Sequence, residues 1–228
     1  MRAGFDQSPV NPLPWVVLLL VLPVVAMELV VSAGGTGLVG GQNGVGWRID
    51  AIQRFSFAPG VADWMREGHH YMPETVMRFV TYPFVHGNFT HALFVVVFLL
   101  ALGKMVAEIY SALAVLAIFF GATLAGAIAY WALPGVEAPL FGGYPPVYGL
   151  IGAFTYILWV RLGLEHANRA RAFSLIGFLL AAQLVFGLIF GSGWDWVAEI
   201  AGFATGFLLS FVVSPGGFSR VVQMIRQR

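Results

Sequence analysis

Ile109–Leu133 reads IYSALAVLAIFFGATLAGAIAYWAL, with no acidic, basic or histidine side chain anywhere in it. A helix needs about 20 mostly apolar residues to cross the hydrocarbon of a bilayer. This run is long enough, and Pro134 stops it, because proline cannot continue a helix ladder. The rest of the chain points the same way. Of 228 residues, 59% are hydrophobic and 10% are charged. A soluble domain is nearer a quarter charged, and so few charges cannot cover a water-facing surface. Most of this chain is therefore solvated by lipid. An open chain in lipid must satisfy its backbone within each segment, so the spans are helices and the protein is an all-α membrane protein.

Working outward from this run, similar stretches lie on both sides. The predicted spans are 14–31, 86–102, 109–133, 147–162, 172–190 and 194–213. Six spans with short connections consume most of the chain, so residues 1–228 read as a single membrane domain. A signal peptide is the competing reading of 14–31. Glu28 interrupts the region where its cleavage site would fall, which favours a span. Glu28 itself is expected to snorkel to the interface. Residues 47–78 are the most polar stretch and mix Arg48, Asp50, Arg54, Asp63, Arg66, Glu67 and Glu74 with Trp47, Phe55, Phe57, Trp64 and Tyr71. That mixture suits a long loop lying at headgroup level. A basic tail, 214–228, closes the chain.

Orientation follows from the basic residues. With the N-terminus inside, the inner segments carry Arg2, Lys104, Arg161, Arg169, Arg171, Arg220, Arg226 and Arg228. The outer segments carry only Arg48, Arg54, Arg66 and Arg78, all in the long first loop. The positive-inside rule then puts both termini in the cytoplasm, with a bacterial inner (cytoplasmic) membrane as the expected location. A net charge of +1 gives a nucleic-acid partner no electrostatic support. The absence of cysteine excludes disulfides, thiol nucleophiles and Cys-ligated metals. The adjacent His69 and His70 supply too few convergent ligands for a metal site. No metal and no cofactor are expected.

Small residues let helices approach closely in lipid. Gly149, Gly152 and Ala153 put small side chains on one face of the fourth span. Gly202 and Gly206 form a GxxxG on the sixth. These two spans are expected to pack together near the centre of the bundle.

Four segments in order resemble the rhomboid family of intramembrane serine proteases. Arg78-Phe-Val-Thr-Tyr-Pro-Phe-Val-His-Gly-Asn-Phe-Thr-His91 is similar to the family's approach to its second span. Gly103-Lys-Met-Val-Ala-Glu108 resembles the inner end of that span. Tyr148-Gly-Leu-Ile-Gly-Ala153 resembles the stretch that follows the catalytic serine. Asp195-Trp-Val-Ala-Glu-Ile-Ala-Gly202, then Gly206, resembles the sixth span. The resemblance covers about Arg78 to Ser210 and implies a six-transmembrane-helix rhomboid-like bundle with a long interfacial first loop.

The resemblance implies a serine nucleophile at the start of the fourth span and a histidine base in the sixth. A histidine and an asparagine on the second span would help hold the oxyanion. Carried over residue by residue, the serine position falls on Tyr144, the glycine after it on Pro145 and the base on Glu199. The first oxyanion residue is kept as His91, and the asparagine position is Val95. A phenol, with a reference pKa of about 10, is a poor nucleophile and reaches farther from the backbone. Pro145 has no N–H, and Val95 cannot donate. Losing one such group costs roughly two to four orders of magnitude in other serine hydrolases. Ser111, Ser174, Ser192 and Ser210 lie near span ends, with no histidine at a recognisable spacing.

Catalysis is therefore not expected, and the chain reads as a pseudoprotease that binds transmembrane segments of client proteins or serves as a membrane-complex subunit. The alternatives are an active intramembrane serine endopeptidase and a small-molecule or proton pathway around Glu199. An intramembrane carboxyl is a functional-site hypothesis by default. Glu199 is expected to bond Tyr144, His91 or both, and its plainest role is a polar plug between the fourth and sixth spans. Gln183, midway along the fifth span, is expected to bond another helix.

Overall fold

The computed structural model describes residues 12–190 and 193–217. The basic tail predicted at 214–228 lies mostly outside them, as do Arg2 and Ser192. Helix α1 spans Trp15–Gly35. A group of short helices follows: α2, Trp47–Phe55; α3, Pro59–Gly68; α4, Pro73–Val76; and α5, Arg78–Thr81. Then come α6, Phe89–Ala107; α7, Ala112–Trp131; α8, Tyr144–Leu164; α9, Ser174–Phe190; and α10, Asp195–Val213. Among the described residues, α1, α6, α7, α8 and α10 are long and apolar enough to cross a membrane. Helix α9 lies where the fifth span was predicted and has 17 residues.

Local chemistry explains where the helices begin. Asn88 accepts a bond from the His91 N–H and so starts α6 at Phe89, three residues inside the apolar run. Ser111 caps α7 in the same way through the Ala114 N–H. Helix α8 starts three residues earlier than predicted. Pro145 and Pro146 sit in its first turn, where the backbone N–H groups have no helical acceptor and proline is tolerated. Helix α1 carries on through Ala33-Gly-Gly35 before it breaks.

Helices α8 and α10 form the close pair at the centre, with α7 against both. The spacing is set by glycines. A Cβ on Gly206 would overlap the Gly149 backbone, one on Gly202 the Pro145 carbonyl, and one on Gly152 the Phe203 carbonyl. The larger buried cluster joins Val17 and Leu20 of α1, Val95 and Leu99 of α6, Ile118 and Phe119 of α7 and Leu150 and Ile151 of α8. Leu22, Phe94, Leu113, Phe178 and Leu208 face outward as large exposed apolar side chains, as lipid contact requires.

The segment between α1 and α6 is folded onto the end of the bundle where α7 finishes and α10 begins. Phe57, Ala62 and Tyr82 join Ala127, Tyr130, Leu140 and Ala198 in a second buried cluster. The Tyr82 hydroxyl donates to the Thr123 carbonyl of α7 at 2.8 Å. Phe57 and Leu140 exchange backbone hydrogen bonds at 2.9 and 2.7 Å. The Trp131 indole N–H donates to Asp63 at 3.0 Å. The long first loop is thus a set of short helices fastened to the tops of α7 and α10.

Glu28 does not snorkel, contrary to the sequence expectation. It is 7% exposed and turns inward. Arg48 grips both its carboxylate oxygens, at 2.6 and 2.9 Å, and Ser32 donates to it at 2.7 Å. A carboxylate inside the bundle is tolerable when it is paired and its lone pairs are used. An arginine from the first loop, folded down on α1, meets that condition.

Candidate functional site

The site lies at that same end of the bundle, where the starts of α6, α8 and α10 come together. His91 comes from the first turn of α6, Tyr144 from the first residue of α8 and Glu199 from the second turn of α10. The His91 and Tyr144 rings are stacked, with centroids 5.0 Å apart and planes 17° from parallel. His86 sits edge-on to His91 at 4.8 Å. Tyr144 therefore covers one face of the His91 imidazole, and His91 Nε2 is buried with no hydrogen-bond partner. Val95, one turn below His91, is fully buried and offers only methyl groups.

Glu199 is 5% exposed. Contrary to the sequence expectation, it bonds neither Tyr144 nor His91. Its Oε2 accepts from the Gln183 side-chain amide of α9 at 2.6 Å, and the Tyr148 phenol lies beside it. The reason is reach. The Tyr144 ring is held flat against His91, while Gln183 stands at the same depth on the neighbouring helix. A cavity of about 200 Å³ opens beside this pair, between Phe98, Tyr144, Tyr148, Leu179, Gln183 and Glu199.

The backbone at the start of α8 is equally altered. The N-terminus of a helix normally offers several free N–H groups and suits an anion. Here the second and third residues of α8 are Pro145 and Pro146, which have none. The Gly143 N–H, just before the helix, donates to His86 Nε2 at 3.2 Å. The start of α8 therefore presents fewer free N–H groups than a helix usually does.

His86 is itself braced. Its backbone carbonyl accepts from Arg48 at 2.9 Å, the same guanidinium that holds Glu28. His86 is 3% exposed, and burial pushes its pKa down to about 3, helped by the neighbouring His91 and Arg48 and opposed by Glu28. It is a neutral acceptor at ordinary pH.

Among the described residues no hydroxyl is hydrogen-bonded to an imidazole. Ser210 donates to the Gly206 carbonyl of its own helix, and Ser111 caps α7.

Compared with known protein families, residues 73–216 match the Rhomboid domain. That match takes in more than half of the chain. The chain belongs to the rhomboid family. No curated protein matches it. The matched region begins at α4 and ends just past α10, so it holds the helices that build the rhomboid site and leaves out α1, α2 and α3. Arg48 and Glu28 both lie outside it. The rhomboid resemblance in sequence puts Tyr144 at the nucleophile position and Glu199 at the base position. The structure stacks Tyr144 on His91 and sets Glu199 beside Tyr144 and Tyr148 at the same end of the bundle.

Sequence reading gave no role at this site to His86 and Arg48, and gave Gln183 an interhelical bond without a named partner. Gln183 was expected to bond some other helix, but its partner could not be named, because depth along two tilted helices is not a matter of residue counting. His86 stood inside the quoted motif and drew no separate notice. Arg48 looked like one more interfacial charge. An acidic residue in a span with an arginine just beyond that span's end is a signal that could have paired Arg48 with Glu28.

Proposed function

We propose that this rhomboid-family protein does not cleave peptides and instead holds transmembrane segments of client proteins at its outer-end site. One observation carries the reading: the Tyr144 ring lies flat on His91, in the space that an attacking alcohol and a peptide carbonyl would need. The chemistry at each required position agrees with it. A carboxyl hydrogen-bonded to Gln183 stands at the base position, and Pro145 and Val95 remove donors. What remains is a hydrophobic recess with a few polar groups at membrane depth. Such a surface suits another helix, which arrives with its own backbone bonds satisfied. Service as a subunit of a larger membrane complex is the same activity with a permanent client.

A fluorophosphonate probe on the purified protein tests the catalytic half of this reading. No serine is expected to label. Labelling abolished by substituting one particular serine would establish an active nucleophile and reverse the conclusion.

A further inference from the structure

Three features of the Gln183–Glu199 contact go together. The bond is short, 2.6 Å, and lies beside the cavity between α6, α8, α9 and α10. It is half-satisfied: Gln183 gives a donor to Glu199, while its own Oε1 is buried without a partner. It also joins α9, which is anchored in the main buried cluster by Ile176. Among the described residues, α9 touches α8 sparsely and leans more on the turn 169–173 that precedes it. Ile176 is buried in the main cluster, Leu175, Leu179 and Leu180 pack against it and Gln183 is half-buried, while Gly177, Phe178 and Val185 are exposed. An amide with one orphaned end is a weak holder for such a helix, because a buried acceptor without a partner offsets part of what the donor end contributes.

We propose that Gln183 occupies the place of a client's hydrogen-bond donor, and that the site selects transmembrane helices carrying an amide or hydroxyl side chain at the depth of Glu199. This rests on the client-binding reading above and names its specificity. The client helix enters from the lipid beside α9. Its donor replaces the Gln183 amide on the Glu199 carboxyl, and Gln183 turns away. One polar bond is exchanged for another of the same kind, so the exchange is nearly balanced. The apolar walls, Phe98, Leu179 and the Tyr144 and Tyr148 rings, then favour a helix with leucine-like side chains around that donor. A helix without a donor must enter against an intact Gln183–Glu199 bond or leave the buried Glu199 with Tyr148 as its remaining partner, one bond short. Interhelical polar bonds in membranes are modest, so the expected preference is about threefold to tenfold.

The test uses the full chain in phosphatidylethanolamine and phosphatidylglycerol vesicles with synthetic photo-crosslinking helices. One peptide is all leucine across the span. A second carries a single glutamine about one turn below the outer boundary, and a third carries it at the bilayer centre. The second is expected to crosslink about threefold to tenfold more than either of the others. Glu199→Leu should erase that preference, whereas Gln183→Leu, which removes the internal competitor, should raise capture of the second peptide. A purely structural Gln183–Glu199 pair would make both substitutions lower capture together, and that result overturns the proposal. Gln183→Asn, shorter by one methylene, is expected to act in the same direction and serves if the leucine variant does not fold. Equal capture of all three peptides also overturns donor selection while leaving client binding intact. Capture of none removes the client-binding reading itself.

Discussion

Gly143 donates its N–H to His86 Nε2, so that nitrogen carries no proton in the folded protein. The imidazole is enclosed, and its pKa falls from 6.5 to about 3. The unfolded chain takes up a proton on this histidine as pH drops below about 6.5, while the folded chain does not until about 3. Between those values the unfolded state binds more protons, so stability rises with pH. The contribution of His86 is thus complete above about pH 6.5 and is lost progressively as pH falls toward 3. Thermal unfolding in detergent at pH 7, 6, 5 and 4 should show a midpoint that drops with acidity, and His86→Gln should flatten that slope. An equal slope in the two proteins would mean that His86 is not the group responsible. The neighbouring residues explain why this histidine was hard to notice from sequence. Its meaning comes from Arg48 at its carbonyl and Gly143 at its ring, which stand 38 and 57 positions away.

Among the elements, α8 and α10 depend on close-approach glycines, whereas Gly177 of α9 meets no neighbour. Gly206 meets the backbone of Gly149, and backbone cannot move aside as a flexible side chain can. Gly206→Ala should force the two helices apart and cost about 1–3 kcal/mol or more, in the range of overpacked cores. Gly177 of α9 has nothing within 4 Å of where a Cβ would stand. Gly177→Ala should be neutral or stabilise by about 0.5–1 kcal/mol through helix propensity alone. Unfolding in mixed micelles distinguishes the two, and equal effects would contradict the packing described here. The GxxxG on α10 and the small face on α8 were readable in the sequence as close-approach surfaces. That they meet each other, with Gly202 under Pro145 and Gly206 under Gly149, belongs to the folded arrangement. The start of α8 was read late because two prolines looked like loop. They are first-turn residues instead, since that turn needs no N–H.

At the scale of the whole molecule, a chain without cysteine allows topology to be read one position at a time. Glu137, in the loop between α7 and α8, and Glu165, just after α8, are both exposed. Glu137→Cys is expected to react with an impermeant maleimide on intact cells, and Glu165→Cys only after the membrane is opened. Labelling from the same side would show that α8 does not cross. The membrane class, the helical fold and the family were legible beforehand, because hydrocarbon imposes a length and an apolar composition that each segment must meet on its own. The substitutions at Tyr144, Pro145 and Glu199 were likewise visible as letters. Which polar group faces which was decided only by the tertiary structure: Arg48 on Glu28 rather than in the headgroups, Gln183 rather than Tyr144 on Glu199, and the Tyr144 ring across His91. Hydrophobicity is a property of one segment, whereas a hydrogen bond needs two groups at the same depth and within about 3 Å. Helix tilt and rotation set that distance, and they follow from the packing of all the helices together.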